Sequence, residues 1–319
     1  MEKVVVFGGG GFIGQRVVKF LVEAGYHVIV PTRRRERVKE NLIVLPNTDV
    51  VSCDPSSPKA VAALLAHADI VFNLTGILHE RGKNTFETVH VEFVRRLADA
   101  LAQAGSVRQF IHFSALNAMT GAPSRYLRSK GKGEVHVSKI GRCEWTVIRP
   151  SVVFGDGDSF LGLLEKLARY LPVLALPGAD ARFQPIWVDD LARMAVASVR
   201  NPDCFGKSLS AGGPETLRFA EILASLLAAM GKRRVVIRLS GGMARLLALG
   251  MEMTPFLPPL LTRDNLDSMR LPSTCESRND AKTLVPARLT SLREYLAARS
   301  SRGGLNDSYS EYRHIARRH

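Results

Sequence analysis

Val4-Val5-Val6-Phe7-Gly8-Gly9-Gly10-Gly11-Phe12-Ile13-Gly14 joins an apolar run, a glycine cluster and the start of a helical pattern. The apolar run reads as a strand covered on both faces. Beyond the glycines, Ile13, Val17, Phe20 and Leu21 recur at helical spacing. Gly8, Gly11 and Gly14 stand as GxxGxxG between that strand and that helix. Glycine is required there on steric grounds. A tight turn leaves the strand, the backbone must approach a pyrophosphate, and the helix must lie close to the sheet. The helix N-terminus then offers unpaired N–H groups and partial positive charge to phosphates. Gly8, Gly10, Gly11, Phe12, Ile13 and Gly14 are therefore the expected cradle of a nicotinamide dinucleotide. The alternative is a domain of this fold that has lost its ligand.

The alternation continues along the first half. Val28-Ile29-Val30, Val50-Val51, Asp69 to Leu74, Gln109 to Phe113 and Trp145 to Ile148 read as strands, with helical patterns at 59–67, 85–104 and 126–140. Strands alternating with helices imply an α/β Rossmann fold, a doubly wound parallel sheet. After Pro150, patterns at 161–170, 219–230 and 243–251 predict a smaller, mostly helical C-terminal lobe. The expected division is 1–157 plus 182–212 for the NAD(P)-binding domain and 158–181 plus 213–299 for the substrate or partner lobe. Residues 300–319, rich in Ser, Gly and Arg, are expected to be a flexible basic tail. Asp189-Asp190 is expected to cap a helix running through Val199.

Cofactor selectivity is set where the second strand ends. An acid there would bond the ribose 2′-hydroxyl of NAD, whereas arginine forks onto a 2′-phosphate. Thr32 is followed by Arg33, Arg34 and Arg35, with no carboxylate before Glu36. NADP(H) is thus favoured over NAD(H). Asp54 could accept from the adenine amino group or simply start the turn at Pro55.

Composition narrows the partners. With 44 basic against 30 acidic residues the net charge is +14, which suits a phosphorylated ligand or an anionic lipid surface. No nucleic-acid motif accompanies it, so nucleic acid is not an expected partner. Cys53, Cys143, Cys204 and Cys275 lack ligand spacing, so they read as free thiols and no metal site is expected. No apolar run is long enough for a membrane span, and no leader is expected before the first strand. The expected location is cytoplasmic, with a peripheral place at the inner face of the membrane as the variant.

Seven stretches carry a family resemblance: VVVFGGGGFIG (4–14), CDP (53–55), NLTG (73–76), FIHFSA (110–115), YLRSK (126–130), IRPSVVFG (148–155) and PIWVDD (185–190). Over residues 3 to about 215 the chain resembles the extended, NAD-dependent epimerase/dehydratase-like short-chain dehydrogenase/reductase superfamily. LTGIL (74–78), RYLRSKGKGE (125–134) and LTRDNL (261–266) make it most similar to an atypical branch. That branch contains the nucleotide-binding accessory subunit of respiratory complex I and its bacterial relatives. The resemblance implies that Tyr126 is a proton shuttle and that Lys130, on the same helix face, lowers its pKa and holds the nicotinamide ribose. It also implies that Asn73, Leu74, Thr75 and Gly76 pass the cofactor, and that Pro150 and Val153 lie near its nicotinamide end. Gln184, Trp187 and Asp190 look like the family's later structural motif. Ser114 departs from the pattern: the family's substrate-binding hydroxyl would fall at Ala115, and no Tyr-Gly follows.

Three functions follow. The first is an oxidoreductase acting on a hydrophobic carbonyl or quinone-related compound. The second is a non-catalytic NADPH-binding accessory or assembly subunit of a respiratory, complex I-like or ubiquinone-biosynthesis complex. The third is a nucleotide-sugar epimerase or dehydratase, against which the apolar lobe counts. The stretch containing Met243, Leu246, Leu247, Leu249, Met251, Met253, Phe256, Leu257 and Leu260 reads as a core helix covering the site. Its alternative is a face for a lipid-like substrate such as a quinone. The chain is expected to be a monomer or a homodimer paired through 85–104 and 126–140, where Arg95, Arg96, Lys132 and Lys139 weaken an apolar pairing.

Overall fold

The computed structural model describes residues 1–42, 45–252, 261–275 and 278–301. Seven parallel strands form the main sheet: β1 (Lys3–Phe7), β2 (His27–Thr32), β3 (Thr48–Ser52), β4 (Ile70–Asn73), β5 (Gln109–Phe113), β6 (Glu144–Pro150) and β11 (Lys207–Ala211). Their order is β11-β6-β5-β4-β1-β2-β3. The central strands β4 and β5 are buried at every position, and β3, at the edge, is not. Side chains alternate across the sheet. Val4 and Val6 meet α1 (Phe12–Glu23) and α7 (Val188–Ala197) in one core. Val5 and Phe7 meet α3 (Pro58–Leu65), α4 (Phe93–Gln103) and α5 (Arg125–Val137) in another. A π-helical turn, Glu87–Glu92, leads into α4. Two short strands, β7 (Val153–Phe154) and β10 (Ile186–Trp187), pair beside the sheet.

The smaller lobe has its own core. Phe154, Leu161, Phe219, Ile222, Leu226 and Leu296 gather α6 (Ser159–Tyr170), α8 (Phe219–Ala229) and α12 (Leu292–Ser301). Short strands β8 (Val173–Pro177), β9 (Arg182–Phe183), β12 (Leu217–Arg218) and β13 (Val235–Leu239) flank them. Then come α9 (Gly241–Glu252), α10 (Arg263–Ser268) and α11 (Ala281–Leu284). Ala281, Val285 and Leu289, within 213–299, pack in the first core of the sheet.

Four features differ from the expectations. A helix, α2 (Arg35–Leu42), starts directly after Arg33-Arg34. The main sheet gains its seventh strand at β11. Asp190 is not a helix cap: the cap position is Trp187, and Asp190 is the third residue of the helix, buried within its first turn. Its carboxylate accepts from the Thr290 N–H at 2.7 Å and from Arg193 at 3.1 Å, tying distant chain to α7. Nor is α9 a core helix. It buries Ala244 and Ala248 but leaves Met243, Leu246 and Leu249 exposed. Met253, Phe256, Leu257, Leu260 and nearly all of the tail lie outside the described residues. Among the described residues no helix is long and apolar enough to cross a membrane.

Candidate functional site

Gly8 leaves β1 with φ +82°, a conformation that favours glycine. A Cβ there would stand 2.8 Å from the Leu74 carbonyl carbon, and one on Gly14 would stand 2.1 Å from Gly8 O. The loop, α1 and the end of β4 thus meet backbone to backbone. Gly11 caps α1 with no side chain, and no acid sits in the first turn. That leaves the helix N-terminus, and Phe12 and Ile13 within it, open to an anion. A dinucleotide diphosphate fits this cradle.

At the end of β2, Thr32 Oγ1 accepts from the Arg34 N–H at 3.1 Å, and Arg33 and Arg34 are exposed. Asp54 faces them across the sheet edge. Its carboxylate accepts the Ser56 N–H at 2.9 Å and the Ser56 hydroxyl at 2.7 Å, the turn-forming role. These bonds, and behind them the charges of Arg33 and Arg96, hold it below the usual carboxylate range.

The helix bearing Tyr126 is fixed at several points. Ser124 Oγ accepts the Leu127 N–H at 3.1 Å. Asp264, from α10, accepts the N–H groups of Arg125 at 2.5 Å and Tyr126 at 3.1 Å. Further along, a Cβ on Gly131 would stand 2.4 Å from the Met119 carbonyl carbon, and one on Gly133 would stand 2.4 Å from His90 O. Glycine inside a helix costs about 1 kcal/mol, which close packing here offsets. Arg149 on β6 grips the Glu134 carboxylate with Nε and Nη2.

This anchoring places Lys130, which is buried, with Nζ donating to Phe113 O at 3.0 Å. A Cβ on Gly76 would lie 3.2 Å from that nitrogen. Lys130, Gly76 and the end of β5 therefore converge at the carboxyl ends of the strands, where doubly wound sheets bind ligands. Burial lowers Lys130 to about 8, against the Glu134 charge. Burial also pushes the Tyr126 phenol up to about 12. The expected lowering by the lysine ammonium is not what this half-buried ring experiences. Ser114 is buried, and its Oγ has no hydrogen-bond partner among the described residues.

Asn73 Oδ1 accepts the Thr75 N–H at 3.1 Å and the Thr75 hydroxyl at 2.6 Å, shaping the Asn73-Leu74-Thr75-Gly76 turn. Pro150 ends β6, with its carbonyl accepting from Leu116 N–H at 3.0 Å. Val153 pairs with Ile186 and packs on the first core. Gln184 is structural, with Nε2 donating to Gly213 O and Oε1 accepting the Cys275 N–H, both at 2.8 Å.

Two histidines escaped the sequence reading. His90, in the π-helical turn, accepts the Ile77 N–H on Nε2 at 3.0 Å. Its proton is therefore on Nδ1, which donates to Ser129 Oγ at 2.8 Å, and Ser129 donates to Tyr126 O at 2.7 Å. His112 Nδ1 accepts from Asn73 Nδ2 at 3.1 Å, which leaves Nε2–H buried without a partner among the described residues. Burial first, then the Lys130 charge, lowers His90 to about 2 and His112 to about 3. Both are neutral. Their signal in the sequence was a histidine with apolar neighbours on each side, Val89-His90-Val91 and Ile111-His112-Phe113.

Residues 8–166 match a family model described as NAD(P)H-binding. The chain is 31% identical over 232 residues to the mitochondrial NADH dehydrogenase [ubiquinone] 1 alpha subcomplex subunit 9 of Arabidopsis thaliana. That match covers 70% of this chain and 57% of the plant protein, so the chain spans less than two thirds of that relative's length. It is 30% identical over 237 residues to a ceramide reductase of Caulobacter vibrioides, covering 74% of this chain and 73% of that one. A solved nucleoside-diphosphate-sugar epimerase from Staphylococcus aureus superposes with a TM-score of 0.73 at 19% identity, over 93% of this chain and 100% of that one. This last likeness is one of fold.

Proposed function

Given that the chain belongs to the atypical, extended branch of the short-chain dehydrogenase/reductase superfamily, we propose that it is an NADP(H)-dependent oxidoreductase acting on a hydrophobic carbonyl or quinone-related compound. The observation that carries this reading is Lys130, buried at the ends of β4 and β5 one helical turn from Tyr126. The loop from Gly8 to Gly14 and the α1 N-terminus hold the diphosphate. Arg33 and Arg34, exposed at the end of β2, take the 2′-phosphate. Lys130 orients the nicotinamide ribose. When bound, the nicotinamide supplies or accepts a hydride. Tyr126, protonated at neutral pH, gives its proton to the substrate oxygen in the reducing direction. One relative is by name a ceramide reductase and another a subunit of a ubiquinone-linked dehydrogenase, and both names suit an apolar substrate.

One observation favours a second reading. Ser114 Oγ is buried and unpartnered, and Ala115 stands where the family places its hydroxyl. This supports a non-catalytic NADPH-binding subunit of a respiratory or ubiquinone-biosynthesis complex. Binding of NADPH and NADH to the purified protein, followed by mixing with a short-chain quinone, separates the two. Oxidation on mixing, lost in Tyr126→Phe, is the expected result. NADPH that stays bound and unoxidised selects the second reading, and binding of neither cofactor overturns both.

A further inference from the structure

Most of the large hydrophobic side chains left exposed among the described residues lie in two short stretches, 170–173 and 235–249. The fold brings them together. Among the described residues β13 pairs only with β8, in parallel and with Val173 opposite Val235, so no described strand covers its other edge. Val235, Val236 and Ile237 are successive and all exposed, so both faces of this strand are apolar. The α9 helix follows at once, with Leu246 72% and Met243 58% exposed. Ribbon and helix border an open trough of about 590 Å³ whose lining includes Ala175, Leu239, Leu247 and Met251. Contiguous exposed apolar surface of this kind marks an interaction site.

The rim identifies the partner. Lys232, Arg233 and Arg234 lead into β13, Arg238 lies within it, and Arg245 lies on α9. Asp180 offsets Arg238 at 3.6 Å and Asp267 offsets Arg245 at 3.1 Å. Lys232 and Arg233 pair with no carboxylate among the described residues, and the chain as a whole carries +14. A strand added to the open edge of β13 would leave its two apolar faces uncovered. A bilayer surface takes both faces into the acyl boundary and the cations into the headgroup layer. We propose that the β8–β13 ribbon and α9 form the surface by which this protein docks on an anionic bilayer. The proposal stands whichever redox reading holds.

The test is co-sedimentation of the full chain with vesicles, of phosphatidylcholine alone and with phosphatidylglycerol as the minor component. The expected result is binding to the anionic vesicles only, released by high salt. Lys232→Glu and Arg233→Glu should each weaken it about fivefold or more, since each lost charge removes a headgroup attraction. Ile237→Asp with Leu246→Asp should reduce it at least about tenfold. Arg233, Ile237 and Leu246 are exposed and Lys232 is half-buried, and unchanged NADPH binding certifies the fold. Failure of the wild-type chain to bind anionic vesicles overturns the proposal, as does undiminished binding by the Asp variant. A wild-type dimer that the Asp variant splits, with no vesicle binding, also overturns it and assigns the face to a second copy.

Discussion

Asp264 holds the backbone N–H of Tyr126 across 138 residues of sequence. The same carboxylate takes the N–H of Arg125, so the first turn of α5 ends on a side chain from the C-terminal lobe. The helix that carries Tyr126 and Lys130 is thereby aimed by a residue outside the sheet domain. Asp264→Ala bares two helix N-terminal donors. The expected cost is about 1–2 kcal/mol in urea unfolding. Asp264→Asn, which keeps an acceptor, should recover part of it. NADPH affinity should hold while any turnover falls, because the cradle at Gly8–Gly14 is untouched. A variant as stable as wild type would remove Asp264 from the account of how α5 is held.

Gly14→Ala tests the cradle itself. The new methyl would lie 2.1 Å from Gly8 O, so α1 must move off the loop. Overpacking of this kind costs about 1–3 kcal/mol. NADPH binding should fall by about a hundredfold or more as the helix N-terminus shifts from the diphosphate. Gly162→Ala is the control: its Cβ meets nothing within 4 Å in α6, and it should stabilise by about 0.5–1 kcal/mol. Equal NADPH affinity in Gly14→Ala and wild type would mean the diphosphate binds elsewhere.

Much of this was legible from local pattern. The glycine spacing around α1 and the apolar run at 4–7 describe their own surroundings, because backbone approach and double burial leave a mark on adjacent residues. Where partners lie far apart in sequence, no such mark exists. His90 meets Ser129, and Asn73 meets His112, each across 39 residues. Asp264 likewise gave no hint of its target. The helix α2 escaped because RERVKENL has almost no apolar face, and β11 because KSLSA is short and serine-rich. At 243–251 the pattern disclosed an apolar face but not what lies against it.

Arg33 and Arg34 should decide between the two nicotinamide cofactors. Charge-assisted bonds to a phosphate contribute about 1.5–3 kcal/mol. Arg33→Ala and Arg34→Ala should therefore each weaken NADPH binding by about 10- to 100-fold, and together by about a hundredfold or more, and leave NADH unchanged. Titration calorimetry with both cofactors reads this directly. Parallel losses for NADPH and NADH would show that these arginines contact something common to both.

The buried cations and imidazoles impose a pH dependence whose sign can be worked out. Lys130 sits at about 8 in the fold against 10.5 when free, and His90 and His112 at about 2 and about 3 against 6.5. In each case the unfolded chain holds a proton that the native chain gives up, so stability rises with pH inside each window. Below pH 6.5 the histidines act together, and stability should fall on acidification by up to about 2.7 kcal/mol per pH unit. Above about 8 the cost of burying the Lys130 charge is relieved. Cys143 and Cys275, held up at about 11 by burial, act in the opposite sense above their free value of 9.0, so the clean alkaline window lies between 8 and 9. Across that window wild type should gain about 1 kcal/mol relative to Lys130→Met, measured by urea unfolding at each pH. His90→Gln should halve the acid slope. If wild type and Lys130→Met ran parallel from 8 to 9, the ammonium would have to remain charged in the fold, stabilised by Glu134 and the Phe113 carbonyl more strongly than burial opposes it.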